Sequence, residues 1–279
     1  MTALQRRPRT ALAAGAVARV GVSWSPDQRT APRPARVRRR TTGPAVLVAV
    51  VLVVAYGAQL GRLYAGVGRD RDYWSVPHGP KGGLLYVALG DSAAQGVGAG
   101  SPDRGYVGLL ADRLRTSTGR PVRVVNLSVS GARVRDVLRD QVPALQALHP
   151  DVVTVDVGGN DVRAYDAVRF DRDTTALVAA LPAGTVVADV PWFMHGHWER
   201  DAREAAGVVR ARAAARHLPV APLHAALRRQ GWSAMLTQFA PDLFHPDDRG
   251  HQVWADAFWE QVRLLPPVVD GGGGVVPPR

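Results

Sequence analysis

The sequence contains no cysteine among its 279 residues. This absence excludes disulfide bonds, thiolate nucleophiles and cysteine-ligated zinc sites. A Gly-x-Ser-x-Gly motif is also missing, so the strained nucleophile turn of the α/β-hydrolase fold is not predicted. Gly96, Gly98 and Gly100 are not followed by the lysine of a phosphate-binding loop, which argues against a nucleotide site. Any catalytic nucleophile must therefore be sought elsewhere, among hydroxyl or carboxylate side chains.

The net charge of +11 is concentrated at one end of the chain. Residues 1–42 contain ten arginines and one acid, Asp27, a net charge of +9 that leaves only +2 for the other 237 residues. A folded domain with so little excess charge is not predicted to bind nucleic acid. Residues 1–42 are rich in Arg, Ala and Pro, and we expect a disordered basic tail. An organelle transit peptide is the alternative.

An uncharged run from Pro44 to Leu60 follows this tail. Its 17 residues would span about 25 Å as a helix, the short end of what a bilayer requires. Four arginines stand just before the run, at positions 36, 38, 39 and 40, and Arg62 stands alone after it. This asymmetry predicts a transmembrane signal-anchor helix over residues 43–61, with the N-terminus cytoplasmic and the rest of the chain extracytoplasmic. A cleaved signal peptide followed by secretion, or a buried core helix, are the alternatives.

The remaining chain divides into three parts by composition. Residues 62–82 hold glycine, proline and mixed charge, and predict a linker. Residues 83–266 predict one globular domain. Residues 267–279, with four consecutive glycines, predict a flexible tail.

Apolar runs typical of buried strands alternate within residues 83–266 with segments of helical spacing. The expected strands are Leu84–Leu89, Val122–Leu127, Val152–Val157, Val186–Val190 and Pro219–Leu223. The expected helices are Tyr106–Thr116, Gly131–Leu148, Thr174–Leu181, Glu199–Arg216 and Asp248–Leu264. This alternation predicts an α/β fold, a flavodoxin-like three-layer α/β/α sandwich around a five-stranded parallel sheet of order 2-1-3-4-5.

Four short polar blocks follow these strands or precede the last helix. They are Gly90-Asp91-Ser92, Ser130-Gly131-Ala132, Gly158-Gly159-Asn160-Asp161 and Asp242-Leu243-Phe244-His245. Because ligands of parallel sheets bind beyond the carboxyl ends of the strands, we expect these blocks to meet at one edge.

In this order the blocks resemble the SGNH/GDSL family of serine hydrolases, over roughly residues 84–264. The name residues of that family match Ser92, Gly131, Asn160 and His245, with Asp242 three residues before the histidine. The first block reads Gly-Asp-Ser-Ala, without the leucine that gives the family half of its name. The resemblance implies an ester hydrolase without cofactor or metal. It also implies an oxyanion hole formed by the backbone N–H groups of Ser92 and Gly131 and the side-chain amide of Asn160.

Elementary chemistry assigns roles to three of these residues. A serine hydroxyl is a weak nucleophile and needs a base within hydrogen-bond reach. His245 can take the proton of Ser92 and return it to the leaving alcohol. On a tight turn, the carboxylate of Asp242 can reach Nδ1 of that histidine and hold its orientation.

Less specific interpretations exist for several residues. Taken alone, Ser92 is typical of a helix cap, and Asn160 is typical of a turn. We interpret Asp91 and Asp161 as loop or cap residues. His195 and His197 have a spacing that suits a metal, but no third ligand is evident. They follow the fourth predicted strand, and we expect both, with Trp192, Phe193 and Trp198, at the rim of the substrate site.

The sequence therefore predicts a serine esterase that acts on a small-molecule or polymer-borne ester. An acetyl esterase of cell-envelope glycans and a lipase or lysophospholipase near the bilayer are the enzymatic alternatives. A catalytically silent binding module with the same fold is the alternative of another class.

Overall fold

The computed structural model describes residues 43–194 and 196–269. The expected basic tail, residues 1–42, lies outside these residues, as do His195 and residues 270–279 of the expected C-terminal tail.

Five parallel strands form a single sheet in the order β2-β1-β3-β4-β5. The strands are β1 Leu84–Gly90, β2 Val122–Asn126, β3 Val152–Asp156, β4 Val186–Ala188 and β5 Val220–Ala221. In the centre of the sheet, Tyr86 of β1 lies opposite Val124 of β2 and Val152 of β3. The predicted fold class and strand order are confirmed.

Helices cover both faces of the sheet. The α-helices are α1 Gly43–Trp74, α2 Ser92–Gln95, α3 Tyr106–Thr118, α4 Val134–Asp136, α5 Val142–Gln146, α6 Gly159–Val162, α7 Ala167–Ala180, α8 Gly196–Ala215, α9 Leu223–Gln230, α10 Ala234–Thr237, α11 Asp248–Val262 and α12 Pro266–Val269. Alternate side chains of β1 enter opposite layers, because successive residues of a strand point to opposite faces. Tyr86 joins the core beneath α3 and α11, whereas Val87 joins the core beneath α7 and α8.

The bounds of all five predicted helices shift in the structure, and two of these helices differ in a way that has a clear structural cause. The helix expected over Gly131–Leu148 begins at Val134 and contains a π-helical segment, Val137–Gln141, between α4 and α5. Helix α7 begins at Ala167, seven residues before the expected start. There the side chain of Asp166 accepts a hydrogen bond from the backbone N–H of Arg169 and caps the helix.

The segment predicted as a linker, residues 62–82, is helical up to Trp74, so this prediction is wrong for most of its length. Glycine weakens a helix interior by roughly 1 kcal/mol, and Gly66 and Gly68 favoured a linker. Burial of the helix end outweighs this cost: Trp74 is 6% exposed, and its indole N–H donates to the carbonyl oxygen of Gln95 at 3.0 Å. The amino-acid composition of residues 62–82 gives no indication of this contact with a distant part of the chain.

Helix α1 is long and apolar enough over Ala45–Trp74 to cross a membrane. The apolar side chains of its first half are exposed, for example Leu52 at 64% and Val53 at 70%. At the other end of the chain, the predicted tail is helical where it is described, because α12 buries Val268 against the core.

Candidate active site

Ser92 lies at the carboxyl edge of the sheet, directly after β1. Gly90 ends the strand with a φ of +151°, and a Cβ there would lie 2.3 Å from the carbonyl oxygen of Asp156. Only glycine allows this close approach of β1 to β3. Asp91 then caps α2 by accepting a hydrogen bond from the backbone N–H of Ala93, and Ser92 is the first residue of that helix.

His245 is held by a tight turn that explains the spacing of the Asp242 block. One carboxylate oxygen of Asp242 accepts hydrogen bonds from the backbone N–H groups of Phe244, at 3.1 Å, and His245, at 3.0 Å. Leu243 takes a φ of +54° to close the turn. The turn leaves the second carboxylate oxygen beside the imidazole ring.

The three predicted catalytic side chains form one chain of hydrogen bonds. Nδ1 of His245 lies 2.6 Å from Oδ2 of Asp242, and Nε2 of His245 lies 2.8 Å from Oγ of Ser92. Both members of the Asp–His pair are largely buried, with side chains 6% and 12% exposed. Burial alone would raise the pKa of Asp242, but its hydrogen bonds with His245 give a net lowering, so the carboxylate is ionised at neutral pH.

Ser92 and Gly131 line the same cavity. Gly131 has a φ of +83°, a left-handed conformation that favours glycine. Among the hydrogen bonds of the described residues, none uses the N–H of Ser92 or Gly131. Both donors are open to an incoming oxygen.

Asn160 also lines the cavity, but its amide is already engaged. Nδ2 donates to Oδ2 of Asp91 at 3.0 Å and to the carbonyl oxygen of Ala132 at 3.1 Å. To donate to an oxyanion, the Asn160 amide must share or release one of these hydrogen bonds.

The carboxylates around Ser92 are poorly solvated. Burial raises the pKa of Asp91 to about 6, against the opposing effect of its hydrogen bond from Ala93. Burial likewise raises the pKa of Asp161 to about 6, and this residue accepts from the backbone N–H of Val134 at the start of α4. As the sequence predicted, Asp91 and Asp161 organise backbone, and they make no contact with the imidazole of His245 in the described hydrogen bonds.

A buried polar network, which the sequence did not reveal, joins α2 to the loop that carries Gly131. The side-chain amide of Asn126 donates to the carbonyl oxygen of Ala94 at 2.7 Å. The amide of Gln95 donates to the carbonyl oxygen of Ser128 at 2.9 Å and accepts from the hydroxyl of Ser130 at 2.5 Å. These hydrogen bonds fix the distance between the backbone N–H groups of Ser92 and Gly131.

Gln141 supports the same edge from the other side of the sheet. Its side-chain amide donates to the carbonyl oxygen of Gly90 at 2.8 Å and accepts from the N–H of that residue at 2.9 Å. The π-helical segment that ends at Gln141 places it there, and π-bulges often occur at functional sites. No local pattern in the sequence marks this residue.

A cavity of about 680 Å³ opens above Ser92. Trp192 and Phe193, two residues of the expected substrate rim, line it, whereas His195 lies outside the described residues. Their contact with substrate stays a prediction. Most of the remaining lining is apolar and comes from several separate segments: Tyr64, Val67, Trp198, Met235, Leu243 and Phe244. Arg163, over the ring of Phe244 at 5.7 Å, is the cation among the lining residues.

Two other described histidines, His197 and His251, make no hydrogen bond to Ser92. His251 is fully buried between the backbone N–H of Tyr106 and the carbonyl oxygen of Val97, and burial lowers its pKa to about 4. His197 packs against Trp198. Within residues 43–194 and 196–269 no group of three or more His, Asp or Glu side chains could hold a metal ion. The expected absence of a metal stays a prediction.

Comparison with known proteins identifies a family and related folds. The sequence profile of the GDSL-like lipase/acylhydrolase family matches residues 88–253. No curated protein matches the sequence of the chain.

Several solved structures share the fold at low sequence identity. One is LAE5, an alpha/beta hydrolase enzyme from the metagenome of Lake Arreo, Spain, with 24% identity, a TM-score of 0.56 and coverage of 65% of this chain and 96% of that one. A second is TesA, with 24% identity, a TM-score of 0.54 and coverage of 65% and 99%. A third is Axe2, an acetylxylan esterase from Geobacillus stearothermophilus, with 23% identity, a TM-score of 0.53 and coverage of 64% and 94%.

Proposed function

The chain belongs to the GDSL-like lipase/acylhydrolase family and is a carboxylic ester hydrolase, and we propose that it works through an acyl-enzyme on Ser92. The observation that carries this proposal is the hydrogen-bonded chain from Ser92 through His245 to Asp242. A nucleophile, a base and an orienting carboxylate within hydrogen-bond distance are the recognisable pattern of nucleophilic acyl transfer.

The first half of the reaction acylates the serine. Oγ of Ser92 attacks the ester carbonyl carbon while its proton passes to Nε2 of His245. The tetrahedral intermediate then collapses, the bond to the leaving oxygen breaks, and His245 returns the proton to the leaving alcohol. Asp242 keeps Nδ1 protonated and stabilises the imidazolium that forms between the two transfers.

The second half removes the acyl group. A water molecule loses a proton to Nε2 of His245 and attacks the acyl carbon, and collapse of the second tetrahedral intermediate releases a carboxylic acid. The proton held by His245 returns to Oγ of Ser92. In both halves of the reaction, hydrogen bonds from the backbone N–H groups of Ser92 and Gly131 stabilise the negative charge on the former carbonyl oxygen, and the amide of Asn160 is the third donor.

The cavity favours an acyl group larger than acetyl. Pockets of roughly 300–1,000 Å³ accommodate drug-sized ligands, and a volume of about 680 Å³ is far more than an acetyl group needs. Its aromatic and aliphatic lining would bury the methylene groups of a longer chain, at roughly 0.8 kcal/mol for each. A lipase-like substrate therefore fits this site better than an acetylated glycan does.

For location, we propose that α1 anchors the protein in a membrane. The N-terminus would be cytoplasmic and the catalytic domain extracytoplasmic, in accordance with the arginines before the apolar run. A tag at residue 5 is then protected from protease in intact cells while the domain is cleaved, and the reverse pattern would contradict this orientation.

The experiment that tests the catalytic proposal compares Ser92→Ala with Ser117→Ala, a matched change at an exposed position of α3. We expect the first variant to lose hydrolysis of p-nitrophenyl esters and labelling by a fluorophosphonate probe, and the second to keep both. Circular dichroism confirms that both are folded. If the folded wild type neither hydrolyses esters nor reacts with the probe, the protein is a silent binding module.

A further inference from the structure

The segment that joins the apolar run of α1 to the catalytic domain is part of the substrate cavity. Tyr64 and Val67, in the second half of α1, line the same cavity as Ser92. Both residues lie before residue 88, where the match to the family profile begins. The substrate site of this chain thus includes a wall that comes from outside the family domain.

This half of α1 is held firmly against the domain. At its end, Trp74 belongs to the main core and Asp70 is 4% exposed. Within the apolar run itself, the hydroxyl of Tyr56 donates to the carbonyl oxygen of Pro241 at 2.8 Å, next to Asp242. Tyr56 and Trp74 lie 18 positions apart, about 27 Å along the helix, so their contacts determine the position of the apolar run relative to the cavity.

The distance along α1 places the cavity wall at the outer edge of the lipid headgroups. Leu60 ends the uncharged run, and Tyr64 and Val67 follow it by about 6 Å and about 10 Å along the helix axis. The polar interface of one bilayer leaflet is roughly 5–8 Å thick. In a helix that spans the bilayer with this run, Tyr64 therefore lies among the lipid headgroups and Val67 just beyond them, so the cavity wall adjoins the membrane surface.

The rim of the cavity has the composition of a membrane-contacting surface. Exposed aromatic and leucine side chains surround or adjoin the lining, with exposed fractions of 59% for Tyr64, 44% for Trp198 and 51% for Leu243. Leu236, beside the lining residue Met235, is 84% exposed. Tyrosine and tryptophan concentrate at bilayer interfaces, and an exposed apolar patch of this kind marks a site of interaction.

We propose that α1 serves as both anchor and acyl-binding wall, so that the enzyme takes long-chain acyl esters directly from the bilayer that holds it. This inference rests on the proposed esterase function and the proposed membrane anchoring, and it adds the substrate class, its source and two specificity residues. The acyl chain would pass from the leaflet between Tyr64 and the rim and lie against Val67, with its ester carbon at Ser92.

The test of the wall uses the full-length chain reconstituted in phosphatidylcholine vesicles. Rates are measured on a fluorogenic long-chain acylglycerol in the vesicle and on soluble p-nitrophenyl acetate. Val67→Phe and Tyr64→Ala should each lower the ratio of long-chain to acetyl hydrolysis about tenfold, equivalent to about 1.4 kcal/mol. The first change narrows the acyl path, and the second removes an apolar contact with the acyl chain. Arg71→Ala, on an exposed part of the same helix, is the control and should leave the ratio unchanged.

Equal effects of the two wall variants on both substrates would overturn the assignment of Tyr64 and Val67. Activity of the wild type on p-nitrophenyl acetate that depends on Ser92 would still support the esterase function, so the two proposals fail separately. A wild type that prefers the soluble acetyl ester would overturn the bilayer as substrate source.

Membrane contact is tested independently with single cysteines, which the cysteine-free sequence makes unambiguous. A fluorophore on Leu236→Cys should be quenched by spin-labelled lipid in the vesicle. The same fluorophore on Val168→Cys, an equally exposed apolar position of α7 outside the cavity lining, should not. Similar quenching at both positions, or none at Leu236→Cys, would show that the rim does not face the bilayer.

Discussion

The two walls of the cavity differ in where their residues come from. The polar wall, defined by Ser92, Gly131, Asn160 and His245, is built on segments that leave the carboxyl edge of the sheet or precede α11. The apolar wall, defined by Tyr64, Val67, Trp192, Trp198, Met235 and Leu243, is built mainly on helices and loops at the periphery.

This difference indicates that the two walls have separate functions. Buried hydrogen bonds hold the polar wall, for example those of Gln141 with Gly90 and of Gln95 with the Gly131 loop. Such a wall suits chemistry, which requires donors at fixed positions. The apolar wall makes few polar contacts and suits selection by acyl-chain length. Substitutions in the polar wall should therefore lower the hydrolysis of all esters alike. The effect of substitutions in the apolar wall should depend on the acyl chain of the substrate.

The largest effect is expected for His245→Gln in the polar wall. Loss of the base should lower kcat/KM by about a thousandfold or more, and by the same factor for p-nitrophenyl acetate and octanoate. His197→Gln, at an exposed histidine without contact to Ser92, is the control and should have little effect. A loss of kcat/KM that differed strongly between the two esters would contradict the proposed separate functions of the two walls.

Asn160→Ala should have the next largest effect. Removal of one oxyanion donor typically costs a hundredfold to a thousandfold in kcat, with little change in KM. The measurement is steady-state kinetics on both esters. A kcat close to that of the wild type would show that Asn160 keeps its hydrogen bonds to Asp91 and Ala132 throughout the reaction and that two backbone donors suffice.

Trp198→Ala tests the apolar wall. The side chain lines the cavity and is 44% exposed, so its loss should disturb folding little. We expect kcat/KM for the octanoate ester to fall about tenfold, because apolar contact with the acyl chain is lost, and a smaller change for the acetate ester. An equal loss of kcat/KM for both esters would show that Trp198 supports the catalytic residues of the polar wall.

The polar wall should also impose a pH dependence on stability. Because the folded protein raises the pKa of Asp91 from 3.8 to about 6, it binds a proton that the unfolded chain releases. Asp91 therefore contributes stability below pH 4 that is lost as the pH rises to about 6, with a slope of at most about 1.4 kcal/mol per pH unit. Urea unfolding of wild type and Asp91→Asn at several pH values should show a flatter profile for the variant; parallel profiles would contradict this assignment.

The smallest effect is expected where the two walls meet, at Leu243. A left-handed backbone costs a non-glycine residue roughly 1–2 kcal/mol, and asparagine tolerates it best. Leu243→Asn should therefore raise the free energy of unfolding by up to about 1 kcal/mol. Leu264→Asn, at a similarly exposed leucine with negative φ, should give no such gain in the same measurement.

Much of the polar wall could be predicted because its signals are local. The run Leu84–Gly90 is apolar and ends in glycine, which marks a buried strand and the turn after it. The three-residue spacing of Asp242 and His245 fits a single turn, and the turn that forms is closed by the carboxylate itself. Strand order follows from the alternation of strands and helices.

Apart from Trp192 and Trp198, which follow the fourth predicted strand, the apolar wall and the supports of the polar wall left no such signal. Gly66 and Gly68 suggested a linker, yet α1 continues through them because Trp74 is buried in a core formed by residues that follow much later. Gln141 resembles any polar helix residue until a π-helical turn directs it to Gly90. Tyr64 gained its place in the cavity only through the docking of α1.

By itself, the sequence determined the α/β alternation, the sheet order and the four blocks that carry the chemistry, because strand periodicity and turn chemistry act between near neighbours in the chain. The tertiary structure alone decided that α1 closes the cavity, that the Asn160 amide is held by Asp91 and that Gln141 and Gln95 support the donors. Those features depend on burial and on hydrogen bonds between residues more than 20 positions apart, and their free energy exists only once the distant segments have packed together.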